Sequence, residues 1–206
     1  MNREDTSSPR GEGSRGSLVA LALVFYAAMA AVAVAWRLVS DGQSPFLAAP
    51  GTAVPDGSQL LRHALLGLLA GGGLIGVSRL WTSYSRTGRA LAQRLASILG
   101  TQTGPNVVVL ALASGLGEEF FFRGALQPRV GLVLASLLFG LAHLVPRREL
   151  AAWAGFAALA GIFLGGLFEA TGNLLAPVIA HVLVNGVNLR WLSRAAARGA
   201  RSRGSA

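Results

Sequence analysis

The stretch GLGEEFFFRGALQ, Gly115–Gln127, sets two adjacent carboxylates, Glu118 and Glu119, and an arginine, Arg123, between uncharged runs. VVVLALASGL (107–116) leads into it and VGLVLASLLFGLA (130–142) follows. A charge inside an apolar helix costs several kcal/mol, so acids and a base kept there are functional residues by default. How this stretch is read therefore decides what the chain is.

Its surroundings are those of a membrane protein. The chain has 206 residues, of which 52% are hydrophobic and 13% charged, and its mean hydropathy is +0.53. That is too apolar for an ordinary soluble domain. Six apolar segments stand out, at about 18–36, 64–78, 107–122, 130–145, 151–169 and 174–189. They predict an all-α, polytopic membrane bundle of about six transmembrane helices. The first run, Leu18–Trp36, exceeds the 7–15 residues of a cleaved signal core. It reads as an uncleaved transmembrane helix, although AVA at Ala33–Ala35 mimics a cleavage site.

The expected organisation follows from composition. Residues 1–16 and 193–206 are polar, rich in Gly, Ser and Arg, and are expected to be disordered tails. Residues 17–104 hold the N-terminal membrane helices and 105–192 the segment that carries the paired acids and two of the histidines. Between them, Leu91, Leu95, Ile98 and Leu99 fall at i, i+4, i+7 and i+8, with Arg89, Gln93 and Ser97 on other faces. This spacing predicts an interfacial amphipathic helix at about 85–99. Gly67 and Gly71, Gly72 and Gly76, and Gly161 and Gly165 are spaced for close helix approach.

All eighteen basic residues are arginine. They lie between and beyond the apolar runs rather than on one folded face, which argues against a nucleic-acid partner. Threading six helices puts 14 arginines on the side of the termini and 4, counting Arg123, on the other. By the positive-inside rule both termini are expected in the cytoplasm. There is no cysteine, which excludes disulfides, cysteine metal sites and thiol catalysis.

Polar groups occur at three places within the apolar runs. Glu119 and Arg123 are i, i+4 and share a helix face, with Glu118 rotated about 100° away. One base for two buried acids leaves a carboxylate underneutralised, a poor choice for structure alone. In LLFGLAHLV, Phe139 and His143 are i, i+4. In APVIAHVLVNGVN, His181, Asn185 and Asn188 line one stripe, and Pro177 is expected to free a carbonyl and kink the helix. Each place has a bland reading: a structural ion pair, a satisfied core histidine, interhelical glue. At 1.5 Å per residue, however, Glu118, His143, His181 and Asn185 all fall near mid-membrane. A carboxylate among buried groups serves as a general base toward water, and a histidine beside it holds that water. A histidine and an asparagine donate to a developing oxyanion. Such a set suits amide hydrolysis without a covalent intermediate. Ser114 and Ser136 lack a G-x-S-x-G context.

E-E-x-x-x-R (Glu118, Glu119, Arg123), F-x-x-x-H (Phe139, His143) and H-x-x-x-N (His181, Asn185), in this order within about 70 residues, resemble the CAAX protease and bacteriocin-processing family of intramembrane endopeptidases. The resemblance covers roughly 105–190. It implies that Glu118 activates water, that His143 positions it, and that His181 and Asn185 form the oxyanion hole. It further implies that Glu119 and Arg123 buttress the site and that Phe139 packs beneath His143. No cofactor is expected. The alternative is zinc held by Glu118, His143 and His181, since these residue types ligate it. The implied partners are the lipid bilayer and a membrane-anchored protein or peptide, cut near its C-terminus. The arginine-only, Ala/Gly-rich chain looks bacterial, which places it in the inner (cytoplasmic) membrane. Two rivals use the same residues without hydrolysis: a transporter with a proton relay, and a non-catalytic scaffold or bacteriocin self-immunity protein.

Overall fold

A computed structural model describes residues 10–48, 53–145 and 148–204. The described residues are helical apart from short connections and one isolated bridge between Leu47 and Asn173. The helices are α1 (Arg10–Asp41), α2 (Gly57–Tyr84), α3 (Arg86–Leu99), α4 (Gly104–Glu118), a π-helical stretch (Glu119–Leu126), α5 (Gln127–Ala142), α6 (Arg148–Thr171) and α7 (Leu175–Gly204).

Five helical stretches are long and apolar enough to cross a membrane, and one of them, Gly104–Ala142, is 39 residues long. At 1.5 Å per residue it would reach nearly twice the ~30 Å hydrocarbon core. It breaks instead at Gly131, whose φ of 80° and ψ of 167° are not helical. The break reverses the chain. In a straight helix Phe122 and Phe139 would lie about 25 Å apart, yet their rings meet edge to face at 5.0 Å. The stretch is thus two crossings, and the bundle has the six expected from the apolar segments, with α3 as an added amphipathic helix.

Small residues set the closest approaches. A Cβ on Gly67 would come 2.6 Å from the carbonyl oxygen of Ala176, and one on Gly71 3.0 Å from that of Ala180. Two i, i+4 pairs therefore interlock α2 with α7. Gly161 and Gly165 seat α6 against Ser136 and against Gln127 and Leu132 in the same way. Gly72 and Gly76, read as a further contact pair, face open space.

Two ends result. At the arginine-poor end, Ala48 and Leu174 exchange backbone hydrogen bonds with Gly172 and Phe46, and Arg129 bonds Asp41 at 3.0 Å. At the arginine-rich end, α3 packs against α2, α6 and α7, and the backbone N–H of Gln102 donates to Ser193 at 2.8 Å. Leu91 and Ala96 face the bundle, whereas Ile98, expected on the same apolar face, is 56% exposed.

Several expectations need correcting. Where described, the tails expected to be disordered are helical: α1 starts at Arg10 and α7 runs to Gly204. A helix nucleated in an apolar segment propagates at one hydrogen bond per residue, and the Ala and Arg of residues 193–204 are good helix formers. Residues 1–9 and 205–206 fall outside the described residues. Pro177 does not interrupt α7. It sits in the first turn, where its missing N–H has no intrahelical partner anyway. Asn173 accepts there from the backbone N–H of Leu175 at 3.0 Å. Arg123, counted with the outer arginines, is 2% exposed inside the bundle.

Candidate active site

The site begins where α4 ends. From Glu119 the backbone widens into a π-helix, and Gln127 N–H bonds the carbonyl of Phe122, five residues back. Such turns are rare and tend to mark functional positions. Both acids stand at this junction. Glu118 is 7% exposed, Glu119 is fully buried and Arg123 is 2% exposed.

Two carboxylates side by side are kept apart by partner choice. Oε1 of Glu119 accepts from Arg123 at 2.8 Å and lies 2.6 Å from Nδ1 of His181. Arg123 also reaches the carbonyl of Gly161 on α6 at 3.4 Å and stacks over Phe139, 4.3 Å from the ring centroid. The guanidinium is therefore held by a carboxylate, a carbonyl and an aromatic face, as a buried cation must be. Glu118 has no such cation. Its Oε2 is buried without a hydrogen-bond partner, 3.8 Å from Nε2 of His143 and 3.7 Å from Nε2 of His181.

The proton positions on the two imidazoles follow from their other contacts. Nδ1 of His143 faces the carbonyl oxygen of Phe139 at 2.8 Å, and a carbonyl only accepts. Nδ1 of His181 faces a carboxylate already paired with Arg123. Both Nδ1 atoms therefore carry hydrogen, and in the neutral rings both Nε2 lone pairs point toward Glu118, which makes His181 an acceptor there and not the oxyanion donor expected of it. Three acceptors converge on one small space, which suits a molecule with hydrogens to give.

Asn185 lies one turn beyond His181. Its side-chain N–H donates to the Oγ of Ser114 at 2.8 Å. Ser114 in turn donates to the carbonyl of Leu110 at 2.8 Å, so it can only accept from Asn185. This fixes the amide with nitrogen toward α4 and leaves its second N–H free. Ser114, unremarkable in the sequence because it lacks a nucleophile motif, belongs to the site as the anchor of Asn185. Tyr26 is a second residue that the sequence concealed. It comes from α1, where a Cβ on Gly117 would meet its carbonyl at 2.8 Å, and its side chain faces Glu118.

A cavity of about 70 Å³ is lined by Phe139, His143, His181 and Asn185 and walled by apolar residues of α2 and α6 such as Leu74 and Ala157. It is roomy enough for water. An aromatic row runs beneath and beside it. Phe122 packs on Phe139, Phe139 on His143 at 4.6 Å, and His143 on Trp153 at 5.2 Å. All seven residues singled out in the sequence thus meet around one point or directly behind it. Asn188, half-buried, lies further along α7. Among the described residues, no three His, Cys, Asp or Glu side chains are placed to hold a metal ion. The zinc alternative, Glu118, His143 and His181, brings one carboxylate oxygen to 3.7 and 3.8 Å from two imidazole Nε2 atoms.

This arrangement coincides with a known sequence family. Residues 101–187 match an Rce1-like family model. The matching model is described as type II CAAX prenyl endopeptidase Rce1-like, and its span runs from just before α4 to just past Asn185. An uncharacterized protein of Bacillus subtilis (strain 168), YpbD, is 37% identical over 92 residues, which are 44% of this chain and 47% of that protein. The chain thus spans about half the length of the curated relative it matches. No solved structure gives a significant match. The Rce1-like segment contains both acids, both histidines and Asn185, while α1 to α3 lie outside it.

Proposed function

We propose that the protein is an intramembrane endopeptidase whose general base is Glu118. The observation that carries this reading is the buried, unpartnered Oε2 of Glu118 facing two imidazole Nε2 atoms at 3.7 and 3.8 Å. A water there donates one hydrogen to Glu118 and the other to His143. Glu118 takes the proton as the water oxygen attacks the scissile carbonyl carbon. The carbonyl electrons move onto oxygen, where the free N–H of Asn185 meets the developing charge. Glu118 then returns the proton to the departing amine as the C–N bond breaks. Glu119 and Arg123 hold His181 in its tautomer and orientation.

The substrate is a membrane-associated protein or peptide, cut near its C-terminus, that reaches the cavity from within the bilayer. The apolar walls and the family description support this class. The enzyme resides in a bacterial cytoplasmic membrane with its arginine-rich end inside. Purified protein should cleave lipid-anchored fluorogenic peptides. Glu118→Gln, which keeps shape but takes no proton, should reduce turnover to background while leaving accumulation and helicity unchanged. Near-normal turnover by that variant would overturn the role of Glu118.

A further inference from the structure

At the arginine-rich end, away from the acids and histidines, lies a second and larger cavity of about 290 Å³. It is enclosed by the end of α2, by α3 and by α7, and is lined by Thr82, Arg89, Ala92, Gln93, Trp191 and Ala195. On α7, Trp191, Ala195 and Arg198 follow one face at i, i+4 and i+7; on α3, Arg86 precedes Arg89 by three residues. The guanidinium of Arg79 stacks on Trp191, 4.3 Å from the ring centroid. Arg89 thus lines the cavity, Arg79 stacks on its Trp191, and Arg86 and Arg198 lie one turn along α3 and α7 from lining residues.

Helices α2, α3 and α7 contain no Asp or Glu, and Arg89 satisfies one donor on the carbonyl of Ser83 at 2.7 Å. The three helices that bound the cavity therefore offer its guanidiniums no anion of their own. At the same end of α2 and α3, Leu80, Tyr84 and Ile98 are 59%, 84% and 56% exposed. An indole at the end of a spanning helix sits at headgroup depth. Cationic donors, a half-buried indole and exposed apolar side chains on the same helices describe one ligand, a phosphate diester carrying acyl chains.

We infer that this cavity is a binding site for the headgroup of an anionic phospholipid, its phosphate held by Arg89 and Arg198 and its acyl chains laid against the exposed apolar side chains of α2 and α3. The inference is independent of the proteolytic reading. Juxtamembrane arginines each contribute measurably to anionic lipid binding, and a guanidinium–phosphate contact is charge-assisted. Detergent-solubilised full-length protein would be melted against dioctanoyl phosphatidylglycerol, dioctanoyl phosphatidylcholine and glycerol 1-phosphate. Phosphatidylglycerol should raise Tm saturably, with little effect from the other two at equal concentration. Arg89→Gln and Arg198→Gln should each weaken the apparent affinity about fivefold or more, whereas Arg62→Gln at the opposite end should not. If Arg89→Gln fails to accumulate, Arg198→Gln carries the test alone. Equal stabilisation by both lipids, or unaltered affinity in Arg198→Gln, overturns the site. Equal stabilisation by glycerol 1-phosphate overturns the lipid as its occupant.

Discussion

One carboxylate oxygen of Glu119 serves two partners at once, Arg123 at 2.8 Å and Nδ1 of His181 at 2.6 Å. The oxygen ties two neighbouring turns of one helix to a helix more than fifty residues away in sequence. It also separates the roles of adjacent acids, since Glu118 is left to face the Nε2 atoms of His143 and His181.

Removing one member of that buried pair leaves the other charge uncompensated, at a cost of several kcal/mol. Arg123→Ala and Glu119→Ala should both melt well below the wild type and accumulate poorly in membranes, with activity lost alongside. Melting temperatures of the detergent-solubilised variants are the measurement. An Arg123→Ala variant of full stability that is merely inactive would place the arginine in the chemistry instead.

Asn185 should behave in the opposite way. Its loss removes a donor to the oxyanion, so Asn185→Ala should lower turnover by about 10²–10³ with little change in melting temperature. Early melting, on a par with Arg123→Ala, would assign it to the framework.

Ser114 offers a finer test, because it acts only through Asn185. Ser114→Ala should reduce kcat by about tenfold with KM nearly unchanged, since the amide keeps its place but loses its fixed orientation. Ser114→Thr retains the hydroxyl and should recover most of the rate. If Ala and Thr variants are equally impaired, packing rather than the hydrogen bond is what the serine supplies.

The zinc reading makes a separate prediction. With water activated by Glu118, exhaustive chelation should leave peptide cleavage intact. Stoichiometric zinc in active protein, with activity lost on removal and regained on return, would favour the metal.

Topology is open to a direct check. The starts of α1 and the ends of α7 lie at the same, arginine-rich end, so a reporter fused after Ala206 should be active in its cytoplasmic form only. Activity restricted to the opposite side of the membrane would invert the assignment.

Much of this was legible in the chain because hydropathy and i, i+4 spacing are local. The six apolar segments mark the crossings, and the pairs Glu119–Arg123, Phe139–His143 and His181–Asn185 each share a face whatever the fold. What was hidden depends on distance or on backbone. Ser114 meets Asn185 across 71 residues, and no local pattern announces it. Tyr26 reaches Glu118 only because Gly117 lets α1 approach. The π-helical widening after Glu118 is a matter of hydrogen-bond register, which side-chain periodicity over eight residues does not resolve. Residues 193–204 were read as disordered from their polarity, although Ala and Arg extend a helix readily.

The break at Gly131 leaves only Leu132–Ala142 as the return crossing before the chain ends its helix at His143. That segment reaches roughly 16 Å, about half the thickness of the hydrocarbon layer. A span so short would fall below the usual separation of the two leaflets, and lipid beside it would thin or give way to headgroups. Such a dent would bring the aqueous boundary down toward His143. On the proposed reading, hydrolysis inside an oily layer needs water delivered to depth, and a helix that stops early would shorten its path. Bilayers of longer acyl chains should refill the dent and starve the reaction.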